Sequence, residues 1–280
     1  MTFFSLLRQP FVENAFLAGT LIAVISAAIG YFVVLRAEAF AAHALSHVGF
    51  AGATLAALLG ISPLFAMSGF TVAAGFGMGM LGKRIRGRDI EIGITLSFAL
   101  GLGVLFLGLY TSSASETVAV LFGSILSVTK ASILWTVVLG AATLLLLAAI
   151  GRPLLFASID PESAQARGVP VKLVSILFML LVAITVSEAI QVVGVLLVFA
   201  LIVAPAAIAQ HVTRRPFSAI VLSMALGSVF VWGGLLLALA TSFPVSFYIA
   251  VIAALAYFIV VGASHALRPH AAEKVEQRCF

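Results

Sequence analysis

Nine apolar stretches, each close to the length needed to cross a bilayer, dominate this sequence and leave it few ways to fold. An α-helix rises 1.5 Å per residue, so about twenty apolar residues match the hydrocarbon layer. On that ruler spans fall near residues 14–35, 43–60, 64–82, 90–110, 131–150, 173–190, 192–210, 217–240 and 245–264. The stretches lack the short alternation of outer-membrane strands, so they read as helices. Hydrophobic residues make up 63% of the 280 and charged residues 9%, more apolar surface than a soluble core of this size could hide. The expected fold is therefore all-α: a polytopic integral membrane protein, with residues 1–280 as a single transmembrane domain. A tenth apolar piece, Thr117–Val128, is too short to cross and is expected to form a partial or re-entrant helix on the outer side.

Nine crossings put the two ends on opposite sides, and the basic residues say which is which. With the C-terminus cytoplasmic, the inner loops carry Arg36, Lys83, Arg84, Arg86, Arg88, Arg152, Arg167, Lys172, Arg214, Arg215, Arg268, Lys274 and Arg278. These are 13 of the 15 basic residues, leaving Arg8 and Lys130 outside, as the positive-inside rule requires. Residues 266–280 then form a cytoplasmic tail, and the N-terminus lies outside. Only Arg8 precedes the first apolar run, with no clear small-residue cleavage site, so that run is expected to be a retained span rather than a signal peptide. The net charge of +5 is scattered over short loops, which topology explains, and no nucleic-acid partner is expected. The single cysteine, Cys279, excludes a disulfide framework and a cysteine-based metal cluster.

G77-M-G-M-L-G-K83-R84 imitates a phosphate-binding loop, but Arg84 stands where a magnesium-binding Ser or Thr belongs. The segment also ends a membrane helix instead of joining a strand to a helix. If ATP drives this protein, another chain binds it. Gly75 and Gly79 have the spacing that lets two membrane helices approach closely.

Ionisable groups inside spans are expensive and default to functional roles. Most acids lie in loops, which leaves His43, His47 and Glu188. By helical rise, His47 sits roughly 16 Å along its helix from Arg36 and roughly 20 Å from Gly60, near mid-membrane. His43 is one turn nearer the cytoplasm, and the i, i+4 spacing puts both rings on one face. Ser46 adds a hydroxyl beside them. Two imidazoles so placed can ligate one divalent cation, and imidazole suits zinc, copper, nickel or iron better than magnesium or calcium. The plainer reading is that each ring hydrogen-bonds a neighbouring helix and does no more. H43-A-L-S-H47 is not a zinc-peptidase motif, because Ala44 occupies the place of the general-base glutamate. Glu188, in T185-V-S-E-A-I-Q191, falls near the outer end of its span. It is expected either to guide cations toward the histidines or to sit at a wet boundary.

Ser158–Pro170 is a long connector with Asp160-Pro161 as a helix opening and Gly168 and Pro170 as a stop. About two turns fit between them. A short capped helix in a cytoplasmic loop has the form of the coupling helix that docks on an ATPase.

Several segments together resemble one family, the permease subunits of the zinc/manganese ABC importers. The stretch from Arg36 through His47 is similar to the family's Gly-Asp-Ala-Leu-Ser-His-Ala segment and the arginine before it. L121-F-G-S-I-L126 resembles its Leu-Phe-Gly-Asp-Ile-Leu. D160-P-E-S-A-Q-A-R-G-V169 resembles its coupling segment, and V193-G-V-L-L-V-F-A-L-I-V-A-P-A-A-I-A209 its Pro-Ala-Ala helix. The matches run in family order from about residue 20 to 265.

The resemblance implies a homodimer or paired permeases around a central pathway. Two cytoplasmic ABC ATPase subunits would lie beneath it and a periplasmic or lipid-anchored metal-binding protein above, all in a bacterial inner membrane. It implies no permanent cofactor: Zn²⁺ or Mn²⁺ is the cargo, and the partner subunit binds ATP. The chain is then a transport subunit and not an enzyme. In the family the Asp and His of the quoted segment face the metal route. His47 takes the histidine place, while His43 stands where an Asp is usual, and Ser124 likewise replaces an Asp. An imidazole for a carboxylate moves the expected cargo toward zinc. Asp160, Pro161, Glu162, Ala164, Ala166, Arg167 and Gly168 take the ATPase-coupling role. The rival reading is a proton-coupled secondary transporter using the same histidines.

Overall fold

The computed structural model describes residues 9–81, 88–109, 123, 125, 128–241 and 243–267. Arg8, Lys83, Arg84, Arg86, Glu116, Ser124, Arg268, Lys274, Arg278 and Cys279 lie outside them, as does the expected short helix at Thr117–Val128 apart from residues 123, 125 and 128. Among the described residues ten helices follow in order: α1 (Pro10–Leu35), α2 (Ala39–Leu59), α3 (Pro63–Leu81), α4 (Arg88–Leu109), α5 (Lys130–Ile159), α6 (Pro161–Ala166), α7 (Val171–Val193), α8 (Val195–Val212), α9 (Pro216–Ala240) and α10 (Val245–Leu267). No strand occurs among the described residues. All but α6 are long and apolar enough to cross a membrane, and they coincide with the nine expected spans.

Proline sits at the first helical position of α1, α6 and α9, where its missing N–H has no intrahelical role. Thr129 caps α5 by accepting the Ser132 amide at 3.2 Å. The largest boundary difference from the sequence expectation is in α5. α5 does not stop at residue 150 but continues through Arg152 and Pro153 to Ile159. A proline removes one ladder bond and strains one turn, which a long helix packed on its neighbours can absorb.

Burial sorts the spans into two layers. In α1, α2, α7 and α8, 56–72% of the membrane-length window is buried; in α3, α4, α5, α9 and α10 it is 17–33%. The outer layer turns large apolar residues such as Leu145, Phe217 and Phe258 outward, as a lipid-facing surface does. Lipid is as apolar as leucine, so helices in it associate by close packing rather than by exclusion from water. The glycines expected to permit this do so: a Cβ at Gly75 would lie 3.0 Å from the Met179 carbonyl oxygen, and one at Gly79 2.9 Å from Ile176 Cα. α3 thus packs backbone to backbone against α7.

The helix ends near Arg36 gather at one end of the bundle. Arg36 reaches Ser158 and Ser175, and the Gln210 amide donates to the Tyr31 carbonyl at 2.8 Å. This basic end also holds α6. There the Asp160 carboxylate accepts the Ser163 amide at 3.0 Å, and its bonds to the Ser163 hydroxyl and amide hold its pKa below the ordinary carboxylate value. At the other end of α6, Gly168 N–H donates to Gln165 O and Val169 N–H to Ala164 O, each at 3.0 Å. That is the Schellman pattern. Gly168 adopts φ +83°, a left-handed conformation that strains any residue with a Cβ. The expected two-turn capped helix is present.

Candidate metal centre

α2 starts after Glu38 and ends at Gly60, which turns left-handed at φ 66°. Between them the two imidazoles stand edge to face, with ring centroids 4.7 Å apart at 86°. His43 also meets the Phe199 ring on α8, at 5.1 Å and 70°. Both histidines are half-buried, whereas Ala42, Ala44, Leu45 and Val48 around them are fully buried. The pair therefore sits at the rim of the inner layer. His43 Nδ1 is closed off from solvent and has no hydrogen-bond partner, so the plainer reading, a ring held by a neighbouring helix, finds no bond at that nitrogen. The Ser46 hydroxyl donates to the Ala42 carbonyl at 3.2 Å, and the residue is buried. Its proton is committed to its own helix.

Glu188 differs from expectation. It is 2% exposed, not at a wet boundary, and neither carboxylate oxygen has a partner. A Cβ at Gly140 would strike Ile25 and lie 3.9 Å from Glu188 Oε2, so α1 and α5 cover the group. Its depth follows from the packing of α2 on α7. A Cβ at Gly49 would strike Ile190, so Glu188 shares the level of His47 in the bundle. α7 ends at Val193, three residues beyond Ile190, whereas α2 continues to Leu59. The outer end of α7 thus lies inside the bundle. The hydroxyls of Ser26 and Thr185 are likewise buried without partners, and Ser187 bonds Ser68 across to α3 at 3.1 Å.

Among the described residues no three His, Cys, Asp or Glu side chains come together as a metal-holding group. One chain offers the histidine pair alone.

On α6, Ala164 is fully buried while Pro161, Glu162, Ala166, Arg167 and Gly168 are exposed. α6 is anchored by one small residue and presents the rest of its surface outward. The Arg167 guanidinium lies 5.7 Å over the Phe156 ring of α5.

Sequence reasoning used Arg36 as a topological marker and as part of the family resemblance, gave it no structural role, and passed over Glu38. The two form an ion pair at 3.2 Å, with side chains 1% and 2% exposed. A charged Arg-x-Glu between two spans, directly before the histidine helix, was the available signal.

Three comparisons bear on this architecture. The ABC 3 transport family matches residues 8–264. The manganese import system permease protein ScaB of Streptococcus parasanguinis is 34% identical over 220 residues, covering 78% of each chain. The high-affinity zinc uptake system membrane protein ZnuB of Haemophilus influenzae is 28% identical over 227 residues, covering 80% of this chain and 86% of its own. The solved structure of PsaBC from Streptococcus pneumoniae in complex with Fab superposes with a TM-score of 0.82 at 30% identity, covering 92% of this chain and 94% of that one.

Proposed function

The chain belongs to the ABC 3 transport family, and from that premise we propose that it is the membrane permease of an ATP-driven importer of divalent transition-metal ions, zinc first and manganese next. The observation that carries this reading is the histidine pair: two rings 4.7 Å apart on one helix face, one of them with a buried nitrogen lacking any partner. A nitrogen kept unpartnered in so apolar a setting is costly unless something else comes to it. Small ring rotations would bring one nitrogen from each imidazole to within about 2.0–2.1 Å of a single zinc ion.

Relatives named for manganese and for zinc limit the cargo to that class of ion. Within the class, nitrogen ligands favour zinc over the harder manganese, and His43 stands where the family resemblance leads one to expect a carboxylate. The site is also a transfer point, which must release what it binds. Two neutral imidazoles without a carboxylate hold a dication less firmly than a charged site would.

The pair is incomplete alone and half-open at membrane depth. Facing lipid it would be poorly accommodated; facing the same surface of a second copy, it would form a four-imidazole passage on the axis of a homodimer. The basic end lies in the cytoplasm, following the positive-inside rule, where the exposed face of α6 docks on a separate ATPase. A metal-binding protein delivers the ion from the opposite side.

The test is uptake of radioactive zinc into vesicles holding the permease with its ATPase. Zinc entry that requires ATP and is lost in His47→Ala supports the proposal. Uptake that survives ATP depletion would instead assign a proton-coupled carrier.

A further inference from the structure

Arg36 occupies a place that the site above leaves unused. Its guanidinium donates to Ser175 Oγ at 2.8 Å and to Ser158 Oγ at 3.4 Å, pairs with Glu38 Oε1 at 3.2 Å, and lies 5.4 Å over the Phe178 ring. Ser158 stands two residues before Asp160, the cap of α6, and Ser175 lies in the first turns of α7, shortly after Gly168. Arg36 therefore grips both flanks of α6. Through Glu38 it also grips the start of α2, because the Glu38 carbonyl accepts the Ala42 amide at 3.1 Å, one residue before His43.

The connection between α1 and α2 has little play. Ala37 adopts φ 55°, left-handed for a residue with a Cβ, a strained state that persists only where its surroundings impose it. The amides of Arg36, Ala37 and Glu38 all donate back to the last turn of α1, to Phe32, Val34 and Val33 at 2.9, 3.1 and 2.9 Å. A buried ion pair is a poor way to gain stability, since apolar residues of the same size generally do as well. What it supplies is direction: a planar guanidinium with several donors fixes the relative positions of all its partners, where apolar contacts could slide.

We propose that Arg36 is the positioning residue through which displacement of α6 reaches the histidine pair, so that α5, α7 and the start of α2 move as one body. This rests on the reading of α6 as the ATPase dock.

The decisive quantity is metal moved per ATP hydrolysed, measured in one vesicle preparation of permease, ATPase and metal-binding protein. The double variant Arg36→Met, Glu38→Leu removes both members of the ion pair together. The complex is expected to assemble, to hydrolyse ATP within about twofold of the parent, and to bind zinc as the parent does in detergent, while zinc moved per ATP falls at least tenfold (a 1.4 kcal/mol difference per factor of ten). A merely structural role would lower assembly and both rates together and leave the ratio unchanged. An unchanged ratio in the assembled double variant overturns the proposal. If that variant fails to assemble, Ser158→Ala with Ser175→Ala decides, because it keeps the ion pair and cuts only the links to the flanks of α6. A reduced ratio there supports the relay and a parental ratio refutes it. Parental vesicles that take up zinc without ATP would overturn the docking reading itself, before any variant is compared.

Discussion

The Arg36–Glu38 cluster and the histidine pair follow one another at the start of α2, both polar and both in an apolar bundle, yet they are held in different ways. Arg36 meets a carboxylate, two hydroxyls and an aromatic face, all from its own chain. His43 keeps a buried nitrogen with no partner, and the histidines' ring contacts are with each other and with Phe199. A polar group gripped by several partners within the chain fixes shape. Half-buried rings at the rim, held by ring contacts, can turn toward a ligand from outside. Glu188 is a third case: incomplete like the histidines but closed in like the arginine, so its carboxylate has neither an internal partner nor an open route to a cation.

The contrast can be broken by experiment. His47→Ala removes one of two chelating nitrogens, and zinc uptake is expected to fall about 100-fold or more, beyond the 10–100-fold loss typical of residues that only support a ligand. Thermal stability and association with the ATPase should stay near parental. Uptake at the parental rate would put the route elsewhere.

Glu38→Ala should do the reverse to stability. It leaves the Arg36 guanidinium buried without its carboxylate, a loss of about 3–5 kcal/mol, read as a lower unfolding temperature in detergent. Replacing both members by apolar residues should recover most of it. If the single and double variants unfold alike, the pairing argument fails.

His43→Asp exchanges nitrogen for oxygen at the rim and should shift the zinc-to-manganese uptake ratio toward manganese by about tenfold (1.4 kcal/mol), with transport retained. An unaltered ratio would separate His43 from ion selection.

The smallest effect concerns the cap of α6. The pKa of Asp160 is held below its ordinary value by Ser163, so its carboxylate stabilises α6 fully above the ordinary pKa of about 4, and this is lost as pH falls through the lower folded value. Hydrogen exchange at the Ser163 amide should accelerate in that acid range in the parent, and be fast and independent of pH there, apart from the intrinsic exchange rate, in Asp160→Ala.

Much of this was legible before any coordinates. Apolar runs of membrane length identify spans because the bilayer imposes one length and one backbone solution. The i, i+4 histidines share a face by helical geometry alone, and Asp160-Pro161 and Gly168 mark a short helix because capping is local chemistry. Gly75 and Gly79 pointed to close packing without naming the partner, which is α7. The burial of Glu188 was not legible, because the outer end of a span lies at a wet boundary only if neighbouring helices end at the same depth. The Arg36 cluster was missed because its partners lie 122 and 139 residues away.

The sequence by itself therefore determined what depends on near neighbours: the number of spans, the capping of α6, the register of the two histidines and the family. Tertiary structure decided which partners reach each polar group. It brought hydroxyls from α5 and α7 to Arg36, left His43 Nδ1 bare, and covered Glu188 with α1 and α5. The reason is physical: a side chain's cost in an apolar medium is set by whether a partner reaches it, and that partner is brought by the packing of helices far apart in the chain.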